Sequence, residues 1–151
     1  MRRIVLGASL FFTALSLPAL AQDHPEIGQR QGQFNLIVHN FAVLGGMAQG
    51  RVDYDATLAQ TAADNLFHIT RHDQSRLWPE GTDAQSVDST RALPAIWENL
   101  DDFVSKFADL QMAAENVQTV AGDGLDALRP AVGALGGACQ ACHQTYRAEA
   151  G

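Results

Sequence analysis

The chain has 151 residues, two cysteines, and 10 Lys and Arg against 17 Asp and Glu, for a formal charge of −7. This length suits one domain, and the acidic balance argues against nucleic acid and anionic membrane surfaces as partners. Arg2 and Arg3 precede an apolar run from Ile4 to Leu17 that ends in Pro18-Ala19-Leu20-Ala21, the three-part layout of a secretory signal peptide cleaved after Ala21. A bilayer span takes about 20 apolar residues, more than this run supplies, and no later segment approaches that length without charges. Residues 1–21 are therefore expected to be removed. The exported, periplasmic remainder, residues 22–151, has no membrane insertion and carries eight basic residues against seventeen acidic ones, a formal charge of −9.

The remaining chain reads as helices. From Pro25 to Gly50, Phe34, Ile37, Phe41 and Leu44 keep the three-four spacing of one buried stripe. A second helix is predicted from an N-cap at Asp55 through Leu58, Ala62, Leu66 and Ile69. Trp78-Pro79-Glu80-Gly81-Thr82 ends that pattern, and a polar loop continues to about Thr90. The third helix is predicted from one long stripe: Leu93, Trp97, Leu100, Val104, Phe107, Leu110, Ala114 and Val117. Asp123 or Gly124 opens the fourth, with Leu125, Leu128, Val132, Leu135, Cys139, Cys142 and Tyr146 on one face. The expected fold is all-α, an antiparallel up-down four-helix bundle.

Both cysteines lie in Cys139-Gln140-Ala141-Cys142-His143. At about 100° per residue, Cys142 lies about 60° to one side of Cys139 and His143 about 40° to the other, so the three side chains share one face. Covalent haem attachment needs this arrangement: two thioethers fix the porphyrin edge and the next residue presents an imidazole to iron. Three other readings compete. A redox dithiol wants its Cys-x-x-Cys after a strand at a helix start, and no strand is legible here. A structural zinc needs four ligands, so distant histidines would have to be recruited. A disulfide across four helical residues would constrain little, although an oxidising compartment favours pairing.

The Cys-x-x-Cys-His near the C-terminus of a four-helix bundle, followed by Tyr146-Arg147, resembles the class II c-type cytochromes, most closely the cytochrome c prime family. The resemblance runs through Arg30-Gln31-Gly32-Gln33-Phe34, Met47-Ala48-Gln49-Gly50 with Tyr54-Asp55, Leu77-Trp78-Pro79-Glu80-Gly81-Thr82 and Ala95-Ile96-Trp97. It implies one covalent haem c, held through Cys139 and Cys142 with His143 as the axial iron ligand. In low-spin relatives a methionine of the first helix takes the sixth position; the matching residue here is Phe34, which cannot ligate iron. Met47 lies thirteen residues further on, about 20 Å along the helix. His39 sits about 140° around from Phe34, and Met112 is off the third stripe.

A phenyl ring over a five-coordinate iron, with no polar donor beside it, disfavours dioxygen and leaves nitric oxide first and carbon monoxide second; the resemblance implies the same selectivity. It also implies that Arg30 pairs with a haem propionate, that Gln31, Thr90 and Arg91 border the haem, and that Arg147 sits against the proximal imidazole and raises the iron potential by its charge. Relatives often dimerise through the first two helices, so a homodimer is expected. Trp78 and Trp97 are read as core and haem-side packing. His68 and His72, spaced i, i+4, are read as a solvated face without a third ligand. A distal acid-base pair of the peroxidase kind is not evident, so no enzymatic activity is expected. Two functions stand: a binder of nitric oxide or carbon monoxide that can also transfer single electrons, or a mobile electron carrier between redox partner proteins with gas binding incidental.

Overall fold

The computed structural model describes residues 24–149; the expected leader and its cleavage after Ala21 lie outside the described residues. Five helices follow one another: α1 (Pro25–Ala48), α2 (Ala56–Thr70), α3 (Ala95–Glu98), α4 (Leu100–Val120) and α5 (Leu125–Tyr146). The four long ones close a ring in which α1 packs on α2, α2 on α4, α4 on α5 and α5 on α1. Long helices that are neighbours in sequence are thus neighbours in space, the topology of an up-down bundle.

The local signals act where the sequence places them. Asp55 caps α2, its Oδ1 accepting from Leu58 N at 2.9 Å, which satisfies one of the free amides of the first turn. Gly50, at φ +69°, follows the C-cap of α1 in the left-handed region, where a side chain would be strained. The core runs through Leu44, Leu66, Val117, Leu128 and Leu135, all fully buried. Ala59, Ala62 and Ala63, also buried, keep the α2 face thin and let its neighbours approach.

The third helix is where the structure departs from the sequence reading. Leu93 lies outside it, Pro94 opens the single turn of α3, and the backbone breaks at Asn99 (φ −136°, ψ 54°) before α4 begins. The break resets the helical phase, so the predicted stripe cannot run straight through it. Leu100 and Val104 point to solvent, 51% and 58% exposed, and Phe103 takes the inward place at 3%. From there Phe103, Phe107, Leu110, Ala114 and Val117 continue at alternating four- and three-residue steps. A smaller correction applies to α2, where Leu58 is exposed and Ala59 faces the core. That helix ends at Thr70, so His72 lies beyond it and does not share a helical face with His68.

The long connection from α2 to α3 is held by one cation. Arg30 on α1 is 2% exposed. Its Nη1 donates to Leu77 O at 3.1 Å and Thr82 Oγ1 at 2.8 Å, and its Nη2 donates to Thr82 O at 2.6 Å and Thr90 Oγ1 at 2.9 Å. The guanidinium also lies 4.6 Å from the centre of the Trp78 ring, within cation–π range. The loop therefore wraps onto α1 and brings Trp78 and Thr90 to the same end of the bundle as Cys139.

Truncation tests the phase of α4. Phe103→Ala is expected to cost about 3 to 5 kcal/mol as a buried aromatic, while Val104→Ala should stay within about 0.5 kcal/mol as a surface change. Chemical denaturation of the holoprotein reads both; the opposite order would restore the unbroken stripe.

Candidate haem site

A cavity of about 480 Å³ opens between α1, α4, α5 and the Trp78–Ala92 loop. The α1 wall comes from two adjacent strips, Arg30, Phe34, Ile37 and Phe41 on one and Gln31, Asn35 and Val38 on the other. These offsets of three and four residues put each strip on one side of the helix. Opposite stand Phe103, Phe107 and Leu110 of α4 and Cys139, Cys142, His143 and Tyr146 of α5. The three motif residues thus reach one space, as their angular spacing requires.

The cysteines are half-buried and free. Burial pushes the Cys139 thiol above its ordinary range, and burial reinforced by Cys139 pushes Cys142 up to about 11. A reactive dithiol needs a lowered value, since the thiolate is the nucleophile, so the redox-dithiol reading has no electrostatic support. The zinc reading has none either, because the described residues contain no cluster of three or more His, Cys, Asp or Glu side chains placed to hold a metal. His143 is exposed at the cavity mouth. The partial desolvation of its ring on the cavity side, then Arg147 and Arg91, depress its basicity, which favours the neutral imidazole that a metal requires.

Phe34 lines the cavity as the sequence anticipates, half-buried. Its ring meets Trp78 edge-on at 6.4 Å and Phe107 at 6.2 Å, and the aromatic chain continues through Phe103 to Tyr146. Trp78 is therefore cavity wall. Trp97 instead donates from Nε1 to Trp78 O at 3.1 Å and lies outside the lining. Among the described residues, no methionine and no second histidine lines this space. Met47 is buried in the core, Met112 is 61% exposed, and His39 faces a separate recess near the α1–α2 turn.

The remaining sequence candidates all line the cavity, bound to protein partners. The four terminal N–H bonds of Arg30 go to the loop as described. Thr90 Oγ1 accepts one of them and another from Ala92 N at 3.2 Å. Gln31 Nε2 donates to Ser89 O at 2.7 Å. Arg91 donates from Nε and Nη2 to Ala148 O. Arg147 places Nη1 3.5 Å from His143 Nδ1. Sequence reasoning passed over Asn35, whose exposed amide gives the α1 wall a polar group next to Phe34. It also passed over Lys106, which lines the cavity and pairs with Asp102 at 3.6 Å. A helical plot of α4 places Lys106 beside Phe103, but only with the helix break known.

An apolar, aromatic-walled space of this size, with two half-buried thiols and one imidazole converging from consecutive turns of a helix, fits a haem fixed by thioethers. Fold and site together define a helical-bundle haem carrier. Comparison with known proteins reaches the same class: the family described as Cytochrome C' matches residues 25–147. Cytochrome c-554 of Cereibacter sphaeroides is 39% identical over 96% of this chain and 97% of its own length. The solved cytochrome c' from Rhodobacter Spheriodes is 35% identical with a TM-score of 0.83, covering 85% of this chain and all of the other. A nitric oxide complex of a mutant cytochrome c prime from Alcaligenes xylosoxidans is 26% identical with a TM-score of 0.73, covering 87% of this chain and all of the other. The chain belongs to the cytochrome c' family and carries haem c.

Tyr146 closes the α5 end, its hydroxyl donating to Asp102 Oδ2 at 2.5 Å. That bond to a carboxylate, with burial, raises the phenol to about 12. The folded state thus holds this proton more tightly than the unfolded chain, whose tyrosines titrate near about 10. The resulting stability is fully present below pH about 10 and is lost as pH rises towards about 12. Tyr146→Phe should flatten the alkaline arm of the stability profile, measured by denaturation from pH 8 upwards, and an unchanged arm would remove the role assigned to the Asp102 bond.

Proposed function

We propose that this protein is a periplasmic haem c carrier whose iron is five-coordinate, binding nitric oxide and, more weakly, carbon monoxide, and passing single electrons. Cys139 and Cys142 supply the thioethers and His143 the single protein ligand to iron. The observation that carries the reading is the lining of the cavity: among the described residues it offers neither imidazole nor thioether beyond His143, and Phe34 stands where the family's low-spin members place methionine. Bound there, the haem supplies a one-electron couple and an open coordination position.

The chain's own residues govern what reaches that position. Phe34 is braced by Trp78 and Phe107, so a ligand must displace a packed ring. Dioxygen gains most from a buried hydrogen-bond donor; Arg30, one turn from Phe34, has its terminal donors turned to the loop, and the Asn35 amide on the adjacent strip of α1 is exposed to solvent. Nitric oxide depends least on such help, and a family relative has been solved as its nitric oxide complex. Arg147 beside His143 Nδ1 favours the ferrous state by its charge. Exposed Leu36, Val52 and Leu58 on the α1–α2 side suit the homodimer that the family resemblance implies. No described helix is long and apolar enough to cross a membrane. The electron-carrier reading is favoured by a different observation, the exposure of His143 at the cavity mouth, which leaves a short route from iron to a partner.

Substitution at Phe34 tests the gas-binding reading. Phe34→Ala should raise carbon monoxide affinity by at least about tenfold, equivalent to about 1.4 kcal/mol, while lowering stability by less than the roughly 3 to 5 kcal/mol of a fully buried ring. Phe34→Met should turn the ferrous spectrum low-spin and suppress carbon monoxide binding. Unchanged affinity in both variants, measured by optical titration, would show that Phe34 does not guard the ligand position.

A further inference from the structure

Charge is distributed unevenly over this acidic molecule. Of the eight Lys and Arg in residues 22–151, Arg30, Arg91, Lys106 and Arg147 line the haem cavity, and among the described residues no Asp or Glu does. Arg30 is turned inward and Lys106 is paired with Asp102. Arg91 and Arg147 are left, and among the described residues neither forms an ion pair with a carboxylate. Arg147 places Nη1 3.5 Å from His143 Nδ1, Arg91 lines the same cavity, and His143 is itself exposed.

These two cations are held in place. Arg147 pairs with Ala92 in an antiparallel bridge, flanked by Leu93 N donating to Tyr146 O at 3.0 Å and Ala148 N donating to Arg91 O at 2.8 Å. The Arg91 guanidinium returns to Ala148 O. The last turn of α5 and the segment before α3 are thus clipped together, and the clip carries one arginine from each side. Fixed charges at a low-dielectric opening focus the local field, whereas the acidic remainder of the surface repels anions.

We propose that this rim, Arg91 and Arg147 beside His143, is the docking surface for an acidic face of a redox partner protein. The proposal rests on the electron-transfer part of the reading above. A partner with an acidic face meets two clipped, carboxylate-free cations where the axial ligand reaches the surface of an otherwise acidic molecule, so charge orients the encounter. The transfer is of one electron, with no bond made or broken.

The test follows oxidation of the ferrous holoprotein by hexacyanoferrate(III), which gains the electron to become hexacyanoferrate(II), and in parallel by cationic tris(phenanthroline)cobalt(III), reduced to its cobalt(II) form. Rates are read between about 0.01 and 0.15 M ionic strength, over which the Debye length falls from about 30 to about 8 Å. Although the protein is acidic, the anionic oxidant should slow at least about threefold as salt rises, as attraction demands. Arg147→Gln, at an exposed position, and Arg91→Gln should each lower its low-salt rate and flatten the slope. Arg129→Gln, about 21 Å along α5 from His143, should leave both unchanged. Poly-glutamate at low salt should compete with hexacyanoferrate(III) in the wild type and not in Arg147→Gln. A rate that rises with salt, or an equal effect of Arg129→Gln, overturns the cationic rim. Attraction of hexacyanoferrate(III) without competition by poly-glutamate overturns docking of an acidic protein. Failure of both oxidants overturns electron exchange itself, and the docking proposal with it.

Discussion

Cys139, Cys142 and His143 must converge on one space from less than two turns of one helix, and the rest of the molecule is arranged around that requirement. Helical spacing puts them on one face of α5, so the fold has to hold a cavity open there while the remainder of the same face, Leu128, Val132 and Leu135, stays closed against its neighbours. The bundle resolves this along its length. Small and aliphatic residues close one end, and aromatic residues at the other, Phe34, Trp78, Phe103 and Phe107, frame a space wide enough for a porphyrin. Rings stacked edge to face hold such a frame better than flexible aliphatics, because their preferred contacts fix orientation as well as distance.

The open end also needs a wall that the four helices do not supply, and Arg30 provides it indirectly. Desolvation pulls its guanidinium below the ordinary value while Glu26 opposes the shift; the group remains charged because an arginine starts so high. Four hydrogen bonds to loop oxygens offset the burial of that charge. Arg30 and Phe34 are one turn apart on the same strip of α1, so one rigid helix carries both the residue that fixes the loop and a ring that lines the cavity. On the other side the Ala92–Arg147 bridge ties the same loop region to the end of α5. The α1 and α5 walls of the cavity are therefore joined through the segment from Leu77 to Leu93.

Much of this was legible in the sequence because it depends on local spacing. α1, α2 and α5, the cap at Asp55, the stop at Gly50 and the convergence of Cys139, Cys142 and His143 all follow from residues within a few positions of one another. The break at Asn99 did not, because Leu93, Trp97, Leu100 and Val104 imitate a continuous stripe across it; Pro94 marks only where the first turn opens, and the tertiary placement of Trp78 on Phe103 goes with the phase that α4 adopts. The partners of Arg30 lie 47 to 60 residues away, beyond any periodicity, so the family resemblance directed attention to a propionate while the loop oxygens went unread. Asn35 and Lys106 were missed for the same reason: each looks like an ordinary solvated residue until the facing helix is known. The unevenness of charge is likewise a property of the assembled surface, since Arg91 and Arg147 are 56 positions apart in a chain whose overall charge has the opposite sign.

The spin state of the ferrous holoprotein at neutral pH tests the central claim most directly, because it reports the number of iron ligands without any substitution. Visible absorption and resonance Raman spectra should show a high-spin, five-coordinate iron with His143 as its only protein ligand, converting on addition of nitric oxide. A low-spin, six-coordinate ferrous spectrum before any ligand is added would contradict the account, since a side chain would then occupy the position assigned to the gas.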